Sequence, residues 1–97
     1  MHVINFQAPD PAQEPTTSIV YAILEKAVRS RDTARFEGSL SPAGRRHRAR
    51  AEAYLDAATV AAGKPHAVSE LCRMMFFGCS GAGALASALD EFDRFTN

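Results

Sequence analysis

Ser41-Pro42-Ala43-Gly44-Arg45-Arg46-His47-Arg48-Ala49-Arg50-Ala51-Glu52-Ala53-Tyr54-Leu55-Asp56-Ala57-Ala58-Thr59-Val60-Ala61-Ala62-Gly63 is one helical phrase with both ends marked. A serine ahead of a proline starts a helix. The hydroxyl can accept from a free N–H of the first turn, and proline's missing donor and fixed φ suit the first helical position. At the other end Gly63 supplies a stop and Pro65 bars continuation. A helix is therefore predicted over 42–62. Its inward stripe is Ala51, Tyr54, Leu55, Ala58 and Ala62, small enough for a neighbouring helix to approach closely. His47 falls on that stripe, where a hydrogen-bonded boundary histidine is expected rather than a metal ligand.

Toward the amino terminus, Ile19, Val20, Ile23, Leu24, Ala27 and Val28 repeat with helical spacing, and a helix is predicted over 17–36. Thr16, Thr17 or Ser18 can cap it behind Pro15, and Glu25 precedes Arg29 in the favourable order. Arg31 falls on the apolar stripe. Either the helix stops near Ser30 and restarts with Asp32 as a cap, or Arg31 snorkels at the edge of the core. Before it, Pro9, Pro11 and Pro15 exclude both helix and central strand, so residues 1–15 read as an arm, either unstructured or laid down as a short edge strand.

Toward the carboxyl terminus, a third helix is predicted over 66–77, with Val68, Leu71, Cys72 and Met75 on one face. Met74 and Phe77 lie off that face. Its last turns are thus apolar nearly all round, which calls for a central place in the fold or a partner's cover. A fourth helix is predicted over 80–95, capped by Ser80, with Leu85, Ala88, Leu89, Phe92 and Phe95 as its stripe and Asp90 paired with Arg94 outside.

The chain has 97 residues, 46% hydrophobic, which suits one domain with one core. Frequent alanine favours helix over strand. The expected fold is all-α: a small bundle of about four helices over 16–97 carrying the arm. Cys72 and Cys79 allow at most one bridge and are expected as free thiols. Nothing at the amino terminus has the charged-then-apolar form of an export signal, so a cytoplasmic setting is expected. The bulkiest apolar run, Met74 to Phe77, is far too short to span a bilayer, and no membrane partner is expected.

Charge is the second strong signal. Between Lys26 and Arg50 lie eight of the eleven lysines and arginines against Asp32 and Glu37, a net of +6, and the rest of this formally neutral chain carries −6. Such segregation points to a charged partner or to two faces matched within the molecule, the acidic carboxyl-terminal helix being the internal candidate. On a helical wheel Arg46 and Arg50 flank the buried stripe on one side, Arg48 on the other, and Arg45 lies opposite it. The arginines straddle their helix instead of forming one ridge.

Other motifs fall short of a chemistry. Gly81-x-Gly83-x-x-Ala86 resembles a dinucleotide turn on paper, but too few residues follow for a strand–helix–strand unit, so small residues easing a tight turn explain it better. Ala58, Val68 and Leu71 can occupy helix-turn-helix packing positions, although Gly63 comes one residue late and Lys64 to Arg73 offers few base-reading side chains. His66 and Cys72 stand about 240° apart around a helix, and His66, Ser69 and Glu70 share an exposed first turn. The histidines and cysteines lack zinc spacing, and Asp90, Glu91 and Asp93 lack the glycine and distal glutamate of a calcium loop.

These observations lead to a non-enzymatic reading with no cofactor and no metal. The expected function is protein interaction, as an adaptor, regulator or inhibitor of a larger protein, with a homodimer among the expected assemblies. Arg45, Arg46, Arg48, Arg50, Met74 and Phe77 are its candidate partner-binding residues. The alternatives are a nucleic-acid-binding helical regulator using the Arg45 to Arg50 segment and an inhibitor of a nucleic-acid machine encoded by a mobile element.

Overall fold

The Ser41 hydroxyl does what its position predicts. It accepts from the Gly44 N–H at 3.0 Å and shares its proton with the carbonyls of Gly38 (2.8 Å) and Glu37 (2.9 Å), so one side chain caps a new helix and closes the previous one. The computed structural model describes residues 15–78 and 80–96. Four α-helices result: α1 (Pro15–Glu37), α2 (Pro42–Ala61), α3 (Val68–Phe77), which a 3₁₀ turn (Pro65–Ala67) leads into, and α4 (Ala82–Thr96). The small all-α bundle is thus as expected. Residues 1–14 of the arm lie outside the described residues.

α1 and α2 form the dominant pair, a long antiparallel hairpin. Besides Ser30 and Thr59, its buried residues in α1 are Val20, Leu24, Ala27, Arg31 and Ala34, and in α2 Gly44, Ala51, Leu55 and Ala58. These positions alternate four and three residues apart, with half-buried Arg48 filling the one gap in α2, which is the seam of a coiled-coil pair. The seam is narrower than the apolar stripe in the sequence, and Ile19, beside it, is exposed. Gly44 stands against the Ala34 carbonyl, fixing the register: each step up α1 is matched by one down α2.

α2 ends as Gly63 predicts. Gly63 turns left-handed at φ +78°, its N–H reaching the Val60 carbonyl at 3.0 Å and the Lys64 N–H reaching Thr59 at 2.8 Å, so two orphan carbonyls of the last turn are satisfied. The chain then reverses. α3 climbs back until Phe76 lies beside Arg48 near the start of α2. α4 descends from Ser80, beside Arg31, to Leu89, whose carbonyl accepts from the Lys64 ammonium at 3.0 Å. Leu71, Met75, Leu85 and Leu89 enter the same core as Leu24 and Leu55.

Three local expectations are corrected. α1 begins at Pro15, so Thr16, Thr17 and Ser18 lie within the helix and not ahead of its first turn. α1 also runs through Arg31 without a break, and the guanidinium does not snorkel to water: the residue is only 6% exposed. Its Nη1 donates to the Met75 carbonyl at 3.2 Å and the Ser80 carbonyl at 2.7 Å, while Nε and Nη2 hold Asp32 Oδ1, each at 3.0 Å. A cation at the carboxyl end of α3 meets the negative end of that helix's dipole and an orphan carbonyl. Finally, Ser80 does not cap α4, which starts two residues later at Ala82; the Ser80 carbonyl is engaged by Arg31 instead.

Candidate functional site

The hairpin turn at Gly38–Ser41 folds the +6 segment back on itself. Arg29 and Arg35 on α1 and Arg45, Arg46 and Arg50 on α2 all fall within roughly 15 Å of the turn along the helix axes, and all five are exposed. Among the described residues none of them has an acidic partner. Arg48 is different. It is half-buried, its guanidinium 4.3 Å above the centre of the Phe76 ring and 3.7 Å from Glu52, so cation–π and ion-pair contacts tie it into the α2–α3 junction.

The carboxyl-terminal helix does not cover these arginines. Asp90 and Glu91 follow Leu89, which the Lys64 contact holds beside the far end of α2. The rise from Arg50 to Lys64 is roughly 20 Å along the axis, more than two screening lengths at physiological salt. The expected internal match of charges is therefore corrected for the described residues: antiparallel packing carries Asp90 and Glu91 away from the basic end. Asp93 and Arg94 lie outside the described side chains.

Large apolar side chains stand at the same basic end. Phe36 is 88% exposed, Leu40 83% and Phe77 81%. Of the two residues expected off the buried face of α3, Phe77 is thus solvent-facing, whereas Met74 is half-buried and packs against the core. The structure brings Arg45, Arg46 and Phe77 to one end, along with Arg50, and places Arg48 and Met74 in the framework beneath. Phe36 and Leu40 were not singled out from the sequence. The available signal was slight: Phe36 stands off the 4–3 seam, and Leu40 sits between Gly38 and Ser41 in the turn.

Between α2 and α3 runs an open groove of about 390 Å³, lined by Arg48, Glu52, Cys72, Arg73, Phe76 and Phe77 among others. Arg73 pairs with Glu70 on its own helix. Cys72 is a free, half-buried thiol whose pKa is raised, first by burial, then by the Glu52 carboxylate and to a smaller degree by Asp56, against a lowering from Arg48. The thiol stays protonated at neutral pH and is a weak nucleophile there. In a Cys79→Ser background, iodoacetamide should alkylate native Cys72 at pH 7 several-fold more slowly than the urea-unfolded chain, the rate rising only above the ordinary thiol range. Equal rates at pH 7 would contradict this assignment. Cys79 lies outside the described residues.

His66 packs its ring on Phe92, centroids 4.8 Å apart, and Glu70 is held by Arg73. Among the described residues no three histidine, cysteine or acidic groups converge as a metal site, and no helix is long and apolar enough to cross a membrane. What the fold presents instead is a basic, aromatic end. No family model, curated protein or solved structure matches the chain. The functional reading therefore rests on this surface.

Proposed function

We propose that this protein is a non-enzymatic interaction module that docks the turn end of its α1–α2 hairpin on an acidic surface of another protein, acting as an adaptor, regulator or inhibitor. One observation carries the reading. Five exposed arginines, none with an acidic partner among the described residues, share one end with three large apolar side chains, Phe36, Leu40 and Phe77. Arginine and aromatic residues in such a mixture are the composition of binding hot spots, and the charges steer the encounter.

The arrangement supports protein over nucleic acid for two reasons. The arginines are distributed over two helices around a turn, not along a ridge that could track one backbone. The helix-turn-helix segment also has its cations engaged, Lys64 on the Leu89 carbonyl and Arg73 on Glu70. The expected result is that immobilised wild-type protein captures a specific partner from nuclease-treated lysate, and that Arg45→Glu with Arg46→Glu weakens capture by about tenfold or more. The double variant should fold normally, because both positions are exposed. Loss of capture on nuclease treatment, with direct nucleic-acid binding that weakens steeply with salt, would replace this reading by the nucleic-acid one.

A further inference from the structure

The basic end has a counterpart on the same molecule. By the register that sets Gly44 against Ala34, Val60 on α2 lies level with Ser18, next to Ile19 on α1, and Val60 and Ile19 are both more than half exposed. Asp56, one turn before Val60, is exposed, and so is Asp90 on α4, beyond the Leu89 carbonyl that holds Lys64. The end opposite the turn is thus acidic and apolar where the turn end is basic and apolar. Asp56 and Asp90 there are opposite in sign to the exposed arginines of the turn end.

Within one molecule the two ends cannot meet. The rise from Arg46 to Val60 is about 21 Å, and the helices between them are packed along a continuous seam. Two copies face no such bar. A second copy offers at its far end the opposite charge, in Asp56 and Asp90, and exposed aliphatic groups, in Ile19 and Val60. We infer that copies of this chain associate head to tail, the turn end of one (Phe36, Leu40, Arg45, Arg46) seated on the far end of the next (Ile19, Val60, Asp56, Asp90). The inference rests on the protein-docking reading of the turn end and names a partner for it. Because the two surfaces differ, the contact is heterologous and does not close on itself as a two-fold dimer would. Growth beyond the dimer is its signature, and charge pairing makes it salt-sensitive.

Sedimentation velocity of the full chain tests this, with two variants chosen at exposed positions so that folding is preserved. Arg45→Ala with Arg46→Ala removes charge from one end; Asp56→Ala with Asp90→Ala removes it from the other. The expected result is concentration-dependent association of the wild type past the dimer at low salt, weakening at least about tenfold at 0.5 M salt. Each variant alone should weaken association by a similar factor. An equimolar mixture should recover a species that stops at the dimer, since only one intact pair of ends remains. A wild type that is monomeric at all concentrations overturns the inference, as does association that both variants leave unchanged, or a mixture that fails to recover the dimer. Partner capture that still depends on Arg45 and Arg46 while self-association is absent would remove this inference and leave the proposed function standing.

Discussion

Arg31→Ala should lower stability by about 3–5 kcal/mol, a large share of what a domain of this size has. The guanidinium satisfies two carbonyls that nothing else reaches among the described residues: that of Met75, an orphan of the last turn of α3, and that of Ser80 in the link to α4. Each acceptor left buried without a partner costs about 1–3 kcal/mol. The side chain also fills a seam position between Ala27 and Ala34. Methionine at this position separates the two contributions, since it restores volume and not the donors. A buried ion pair can often be exchanged for apolar groups without loss, but backbone carbonyls cannot be removed, so Arg31→Met should recover only part of the deficit. Asp32 is the internal control. Its side chain is 59% exposed, and Asp32→Ala should cost under about 1 kcal/mol. Urea melts of the three variants provide the measurement. A loss below about 1 kcal/mol for Arg31→Ala would mean that water replaces the guanidinium at both carbonyls.

Gly44→Ala should destabilise by about 2–3 kcal/mol, whereas Gly83→Ala should stabilise by about 0.5 kcal/mol. Both glycines lie in helices, and alanine is the better helix former at each. What separates them is what a new Cβ meets. At Gly44 it would fall 1.9 Å from the Gly38 carbonyl oxygen, 2.8 Å from its carbon and 3.2 Å from the Ala34 oxygen. All three are backbone atoms, so no rotamer change can make room and the turn itself must open. At Gly83 nothing lies within 4 Å. Opposite signs for one chemical change, read in paired thermal melts, would establish that the turn limits the approach of α1 and α2. Equal effects would show that the turn yields.

The helices were legible in the chain because their punctuation is local. Ser41-Pro42, Gly63 and Pro65 act through atoms a few bonds away, and they set the ends of α2 as expected. The start of α4 was not legible for the converse reason: the fate of Ser80 is decided by Arg31, 49 residues earlier, and no rule about adjacent residues sees that contact. Arg31 itself posed a choice between two readings, a broken helix or an exposed charge. The structure took a third, because the Met75 and Ser80 carbonyls come within the guanidinium's reach only when α3 and α4 are packed on α1. Candidate site residues follow the same division. A wheel drawn for α2 alone scatters Arg45, Arg46, Arg48 and Arg50 around its circumference, and that is correct for α2. The gathering of charge arises from pairing α2 with the end of α1, which adds Arg29 and Arg35 and exposes Phe36 and Leu40 beside them. Arg48 was grouped with its neighbours by sequence, while a ring from α3 draws it inward.

Gly38, left-handed at φ +94°, sits midway between Lys26 and Arg50, the limits of the basic segment. Folding the hairpin therefore means bringing two halves of one positive block together. These are the most local long contacts in the protein, the kind that forms early, yet their closure works against the repulsion of the chain that makes them. Salt relieves such repulsion, so hairpin closure accelerates as ionic strength rises. An acidic partner of the kind proposed would relieve it more strongly and would stabilise the folded state as its concentration rises above its Kd. The proposed recognition and the closing of the hairpin would then draw on the same electrostatic tension.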